Sequence, residues 1–525
     1  MTTIVNFAER QVNGNYSLYL PALSNFYSVF LGAELADRNH VPQWQRPARF
    51  EYDLQGMNYF LENNSYFYYP YGLYSAGHAE RRLDRCDKRE PMVHNRDREK
   101  VIIVGDSGGF QIATGVIKLD WAKVKDKEGD VFREEILRYL EHTADWSMTL
   151  DVPPFACLPP LNKKTGLKTF EECLDITEHN LHYFVKNRVP GKTKFLNVIS
   201  GSSITNSKLW YDSIKHFSNK SSIVEMGYTE DRTLEGWAFA GINMHHMPTA
   251  LNRLLDLRED NLLHDKDWIH FLGIGRLDWS CFLTSIMRQL QKHDNPRLQI
   301  SFDAASPFVA VAYGLAYNYN VFSSKKLTYQ MDKAIDDKKF KNSKLAMPFQ
   351  SPIMDRLSTG DICLLGPTDK NKIGKIGRTS WASLTYCMYM AHNVYNHIQA
   401  VQEANRIADI EHVRRGVSYK DWSRQKNIVD ISPFIPNSIL FFEDFVRELF
   451  DPATPNPRQL IEDNNSFLES ISFGGTSDKS KSQDALTNLF DLSAINEVNI
   501  DTDALADITN EETDEKLTEL ENMEF

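Results

Sequence analysis

Cysteine is scarce in this chain: only six of 525 residues, with no Cys-x-x-Cys or Cys-x-Cys pair among them. Cys86, Cys157, Cys173, Cys281, Cys363 and Cys387 are scattered. That argues against a disulfide framework or a structural zinc cluster, and for the reduced thiols of a cytoplasmic protein. Long apolar runs are missing too. No stretch approaches the roughly 18 apolar residues that span a bilayer, so no membrane association is expected. The opening residues, Met1-Thr-Thr-Ile-Val-Asn-Phe-Ala-Glu-Arg10, lack the basic start and apolar stretch of a cleavable signal. An excess of positive charge is also absent, since the formal net charge is −12.

That charge is unevenly spread. Asp484 to Phe525 hold thirteen acids against one lysine, which accounts for the whole −12 and leaves the remaining 483 residues balanced. The stretch follows Gly474-Gly-Thr-Ser-Asp-Lys-Ser-Lys-Ser-Gln483, a flexible linker by composition. Residues 474–525 are therefore expected to be a disordered acidic tail. Leu486, Leu489, Phe490, Leu492 and Ile495 could dock on a protein partner, or the acids could imitate nucleic acid.

Between Val101 and Ala312, short apolar runs alternate with amphipathic stretches, the pattern of βα units and a parallel sheet. Strands are predicted at Val101–Val104, Ser147–Val152, Phe195–Ser200, Trp237–Ile242, His270–Ile274 and Leu298–Phe302. Helical periodicity places Phe132, Ile136, Leu137 and Leu140 on one face and recurs from Leu277 to Gln291. Six such units plus an aromatic-rich N-terminal portion point to an α/β fold, a (β/α)8 TIM-type barrel, with chemistry at the C-terminal ends of its strands. The expected organisation is a barrel over 1–395 with a basic insertion around 318–380, a helical extension over 396–473, and the tail. Ser380 to Arg415 reads as a long helix, and Glu443 to Phe450 opens a further helical portion. The aromatic run from Asn58 to Tyr71 suits core packing better than base stacking. The basic residues between Arg81 and Lys100 are interleaved with acids, so a salt-bridged surface competes with a phosphate-contacting one. A second basic region, from Lys325 to Arg378, favours nucleic-acid contact.

Three acids end apolar runs: Asp106 in Val101-Ile-Ile-Val-Gly-Asp106, Asp151 in Met148-Thr-Leu-Asp151, and Asp303 in Ile300-Ser-Phe-Asp303. Gly108 and Gly109, after Asp106, allow backbone to approach a bound group closely. Three carboxylates at buried strand ends, without cationic neighbours in sequence, would repel one another and be costly as structure alone. They suit exchange at an anomeric carbon, where one carboxylate attacks the sugar and another moves the proton of the leaving and entering group. A metal site competes as an explanation, but no His or further acid stands beside them in sequence.

Asp106-Ser107-Gly108-Gly109-Phe110-Gln111 resembles, letter for letter, the signature of the queuine and archaeosine tRNA-guanine transglycosylase superfamily, and the likeness extends over about residues 100 to 315. It implies that Asp303 is the nucleophile and Asp106 the general acid/base, with Asp151 holding the guanine edge. Ser107, Gly108, Gly109, Phe110, Gln111, Ser200, Gly201, Gly241 and Leu272 are the further substrate-binding residues it implies. A weaker match is His392-Asn-Val-Tyr-Asn-His397.

The departures from that family matter equally. Its Cys-x-Cys-x-x-Cys and His zinc site is absent, so no cofactor and no metal ligand are expected. Its Pro-Thr-Arg grip on tRNA is replaced by Pro307-Phe-Val-Ala-Val-Ala312. In this the chain is similar to the DNA 7-deazaguanine transglycosylases of phages and bacteria, the DpdA proteins. That likeness implies an enzyme whose partners are DNA, guanine and a free 7-deazaguanine base such as 7-cyano-7-deazaguanine. The alternatives are a zinc-less transglycosylase acting on tRNA and a non-catalytic subunit that binds nucleic acid.

Overall fold

Eight parallel strands make one sheet that curls into a nearly closed barrel: β1 Leu18–Pro21, β2 Tyr71–Ser75, β3 Ile102–Asp106, β4 Trp146–Met148, β5 Lys194–Ile199, β6 Gly236–Phe239, β7 Trp268–Phe271 and β8 Gln299–Ala304. Around the barrel the order is β1-β8-β7-β6-β5-β4-β3-β2. The seam between β1 and β2 is bridged by Ala22 and Leu73, and the Leu23 N–H donates to the Leu73 carbonyl at 2.9 Å. In this computed structural model, residues 4–36, 41, 43, 46–335, 340, 342–362, 383–424 and 430–473 are described.

Every residue of β1, β4, β6 and β7 is buried, as expected for parallel strands covered on both faces. All six predicted strands form. The segments predicted at Ser147–Val152, Trp237–Ile242 and His270–Ile274 end at Met148, Phe239 and Phe271, where the chain turns into loops, and the last of them starts at Trp268. β1 and β2 complete the eight from within the aromatic N-terminal portion. Tyr59, Phe60, Tyr66, Phe67, Tyr68 and Tyr69 are all buried, so this segment is core.

Helices cover the barrel. Short α1, Leu83–Arg89, lies in the β2-to-β3 crossover. α2, Lys127–Thr143, follows β3 and buries Ile136, Leu137, Tyr139 and Leu140. α3, Phe170–Asn187, starts with a capping box in which the Thr169 hydroxyl and the Glu172 carboxylate each accept from the other residue's backbone N–H. α4, Leu277–His293, carries the other predicted apolar face. After β8, the short helix α5, Ser306–Ala312, leads into an antiparallel hairpin, Leu315–Phe322 with Leu327–Lys333, where the basic insertion was expected to begin.

The long predicted helix is α6, Ser383–Arg415, and it runs unbroken through the expected boundary at 395/396. Its His392 joins the Ser351 hydroxyl at 2.9 Å and the Tyr317 carbonyl at 2.7 Å. Asn393 accepts from the Tyr317 N–H at 2.9 Å and donates to the Pro307 carbonyl at 3.0 Å. His397 stacks on Tyr19 with ring centroids 4.3 Å apart. This motif fastens the helix to the hairpin and to the exit from β8. The next helix, α7, Asn437–Leu449, starts earlier than Glu443 because Ile439, Leu440, Phe441 and Phe442 already pack inward. The main apolar cluster draws on buried residues from Phe7 to Ile471, and a smaller one gathers Ala113, Val124, Val152, Ala156, Leu167, Cys173 and Ile176.

Much of the first basic stretch is spent on ion pairs: Arg81 with Glu135, Arg82 with Asp84, Arg96 with Asp145, and Lys100 with Glu62. In the second basic region Lys325 pairs with Asp430. Lys338, Lys339, Lys341, Lys370, Lys372, Lys375 and Arg378 lie outside the described residues, as does the whole of 474–525. No helix among the described residues is long and apolar enough to cross a membrane.

Candidate active site

Asp303 and Asp106 stand at the C-terminal ends of β8 and β3, and Asp151 lies just beyond β4. The barrel brings them within electrostatic reach of one another. The charge on Asp303 raises the pKa of Asp106, and the charge on Asp106 raises that of Asp151.

Their surroundings differ sharply. Asp303 Oδ1 accepts from the Gly273 N–H at 2.8 Å and lies 3.1 Å from His270 Nε2. The far nitrogen of that ring, Nδ1, is 2.8 Å from the Ser301 hydroxyl, which also accepts from Trp268 Nε1–H at 2.7 Å. With the indole donating to Ser301, the hydroxyl proton is directed at Nδ1, and the Nε2–H tautomer then donates to Asp303. Strand alternation builds this chain. Trp268 and His270 share one face of β7, Ser301 and Asp303 share one face of β8, and the register pairs Ser301 with His270. Both donors act on Oδ1. Among the described residues no hydrogen bond reaches Oδ2.

Asp106 is held differently. Burial is the main force raising its pKa, opposed by the Ser75 hydroxyl, which donates to Oδ2 at 2.6 Å, and by the Gly108 backbone N–H. Ser75 is its partner in the β2–β3 register. Asp151 has less support, and burial followed by the nearby Asp106 charge pushes it up to about 7. A β-carbon at Gly109 would sit 2.8 Å from the Asp151 carbonyl oxygen and 3.0 Å from Oδ1, so glycine is what admits this carboxylate beside the signature segment.

The other predicted residues divide into two groups. Gly108 takes a left-handed conformation at the start of the short helix Gly109–Thr114, on the loop that carries Asp106. Gln111, on that helix, places Nε2 3.0 Å from His78 Nε2, while its buried Oε1 has no hydrogen-bond partner. Ser200 Oγ is likewise buried and unpartnered at the end of β5. These two orphaned oxygens are the clearest open polar positions in this set. By contrast, the Ser107 hydroxyl is spent on the Thr149 carbonyl at 3.1 Å, and Phe110 packs against Phe155. Gly201 and Gly241 meet directly: a β-carbon on Gly241 would lie 2.3 Å from the Gly201 oxygen, and Gly241 has φ of 57°. Leu272 donates its N–H to the Phe239 carbonyl at 3.1 Å and is partly buried against the core beside β6.

Sequence reasoning missed His270, Ser301, Gly273 and Ser75. One signal was available: polar residues at alternate positions of two apolar segments, His270 in one and Ser301 with Asp303 in the other. Beside the site, a cavity of about 380 Å³ is lined by Gly77, His78, Arg81, Ile117 and Lys118 among others. No family model and no curated protein matches the chain.

Proposed function

We propose that this chain is a transglycosylase that exchanges guanine in DNA for a 7-deazaguanine base. The observation that carries the reading is the unequal treatment of three neighbouring carboxylates. Asp303 is held by two donors on a single oxygen, as suits a nucleophile that must be aimed and later released. Asp106 has a raised pKa, as suits a group that hands a proton to departing guanine and takes one from the incoming base. Asp151 lies against Gly109 of the signature segment and is suited to accept the N–H groups along the guanine edge.

In this mechanism the target nucleotide is flipped out of the duplex into the barrel mouth. Asp303 Oδ2 forms a bond to C1′ as the C1′–N9 bond breaks, and Asp106 gives its proton to guanine. Guanine leaves, and the 7-deazaguanine enters. Its N9 then forms the new bond to C1′, the C1′–Asp303 bond breaks, and Asp106 recovers the N9 proton. One N-glycosidic bond replaces another, so the exchange needs no energy source. His270 and Gly273 stabilise the Asp303 carboxylate each time it is released, which favours the second half of the cycle.

Mass spectrometry of nucleosides from DNA incubated with the protein and a 7-deazaguanine tests this directly. Incorporation into DNA that is absent with Asp303→Asn is the expected result. Incorporation into tRNA alone would redirect the polymer assignment. Base release without incorporation would make the protein a glycosylase.

A further inference from the structure

A second set of chemistry-bearing side chains lies outside the barrel mouth, where the β2-to-β3 crossover meets α2. Cys86 and Asp87 come from α1, His94 ends the short helix Pro91–His94, and His142 sits in the last turn of α2. One donor atom from each lies within 4.8 Å of all the others. Asp87 Oδ1 is 2.7 Å from His142 Nε2 and 4.0 Å from His94 Nδ1.

His94 distinguishes this set from an ordinary polar cluster. Its side chain is fully buried, and Nδ1 has no hydrogen-bond partner although Asp87 Oδ1 stands only 4.0 Å from it. An unsatisfied buried ring nitrogen is costly unless something occupies the position it addresses. The opposite nitrogen, Nε2, is 3.4 Å from Glu90 Oε2, a carboxylate that is itself fully buried. Glu90 is anchored in turn, accepting from Asn25 Nδ2 at 2.6 Å and from the Glu80 N–H at 3.0 Å. This is the arrangement in which a second carboxylate fixes the tautomer of a ligating histidine and directs its lone pair at a metal.

We propose that Cys86, Asp87, His94 and His142 bind one zinc ion. One thiolate, two imidazoles and one carboxylate form a closed tetrahedral donor set with no position left for substrate, so the site is structural. Zinc bonds of about 2.0–2.3 Å put tetrahedral ligands roughly 3.3–3.8 Å apart, so the cluster contracts slightly on binding. Partly exposed Asp87 and His142 can supply that movement. Binding releases the Cys86 proton to solvent. The ion would pin the β2-to-β3 crossover to α2, and so brace the two strands that carry Ser75 and Asp106.

Full-length protein dialysed against metal-free buffer after zinc loading should retain one equivalent of zinc per chain by elemental analysis. Cobalt(II) in its place should show tetrahedral ligand-field bands and a thiolate charge-transfer band, the latter lost in Cys86→Ser. His142→Ala and Asp87→Ala, at partly exposed positions, should lose most of the zinc while keeping the wild-type circular dichroism. They carry the test if Cys86→Ser does not fold. Cys281→Ser and Asp303→Asn should keep the zinc in full. Wild-type protein that retains no zinc, or a folded His142→Ala that retains all of it, overturns the proposal.

Discussion

Asp303 and Asp151 are the same side chain at comparable depth in the barrel rim, yet they are held in opposite ways. One receives a buried imidazole and a backbone N–H, with a serine and a tryptophan arranged behind the imidazole. The other is set against backbone and a second carboxylate, and its proton affinity rises to about 7. A shared site can thus surround one carboxylate with donors while burial and a neighbouring charge push another up to about 7, and the difference lies in the residues behind each acid.

Breaking the first half of that comparison should have the largest effect. Asp303→Asn is expected to lower base exchange by at least about 1,000-fold with the fold intact, as measured by single-turnover assays. Asp106→Asn should slow the same reaction by about 100- to 10,000-fold, the range for a lost general acid. An activated leaving base that needs no protonation should recover most of that loss. His270→Phe removes one charge-assisted hydrogen bond, worth about 1.5–3 kcal/mol, and predicts a 10- to 150-fold loss. Because that bond helps Asp303 leave, the covalent sugar adduct should accumulate in this variant, visible by intact-protein mass spectrometry. A merely structural role for His270 would lower the rate without adduct build-up.

Asp151→Asn sharpens the other half. An unfolded aspartate loses its proton near pH 3.9, whereas the folded one holds it to about 7. Folding is therefore penalised increasingly as pH rises from about 4 to about 7, and the penalty levels off above that. The variant should gain on the order of 4 kcal/mol of unfolding free energy at pH 8 and almost nothing at pH 4, in denaturant titrations at both values. The same substitution should weaken guanine binding. A variant that binds guanine as well as the wild type would remove Asp151 from base recognition.

The acids were legible in the sequence because each ends an apolar run, where an ionised side chain has no structural reason to be. The residues that set their behaviour were not. His270 reads as one polar position in an apolar strand, and only the β7–β8 register shows that it faces Ser301 and Asp303. Ser75 was hidden with its strand, since Tyr71-Gly-Leu-Tyr-Ser75 is short, contains glycine and lacks a branched apolar run. The Cys86, Asp87, His94 and His142 cluster escaped for another reason. Its members come from the crossover and from α2, so no spacing rule applies until those elements pack. The barrel itself was legible from six alternating units, while the continuity of α6 through residue 395 depends on the packing of His392, Asn393 and His397.

The position of β1 also has a kinetic meaning. It pairs with β8, so the first barrel strand made must wait for the last one before both of its edges are satisfied. Contacts so distant along the chain close slowly, and an unpaired strand edge invites pairing with other chains. During synthesis, Leu18–Pro21 stays open on one side until residue 304 is available. Asp303 arrives on that same final strand, so the step that protects the nascent chain from aggregation also completes the carboxylate set.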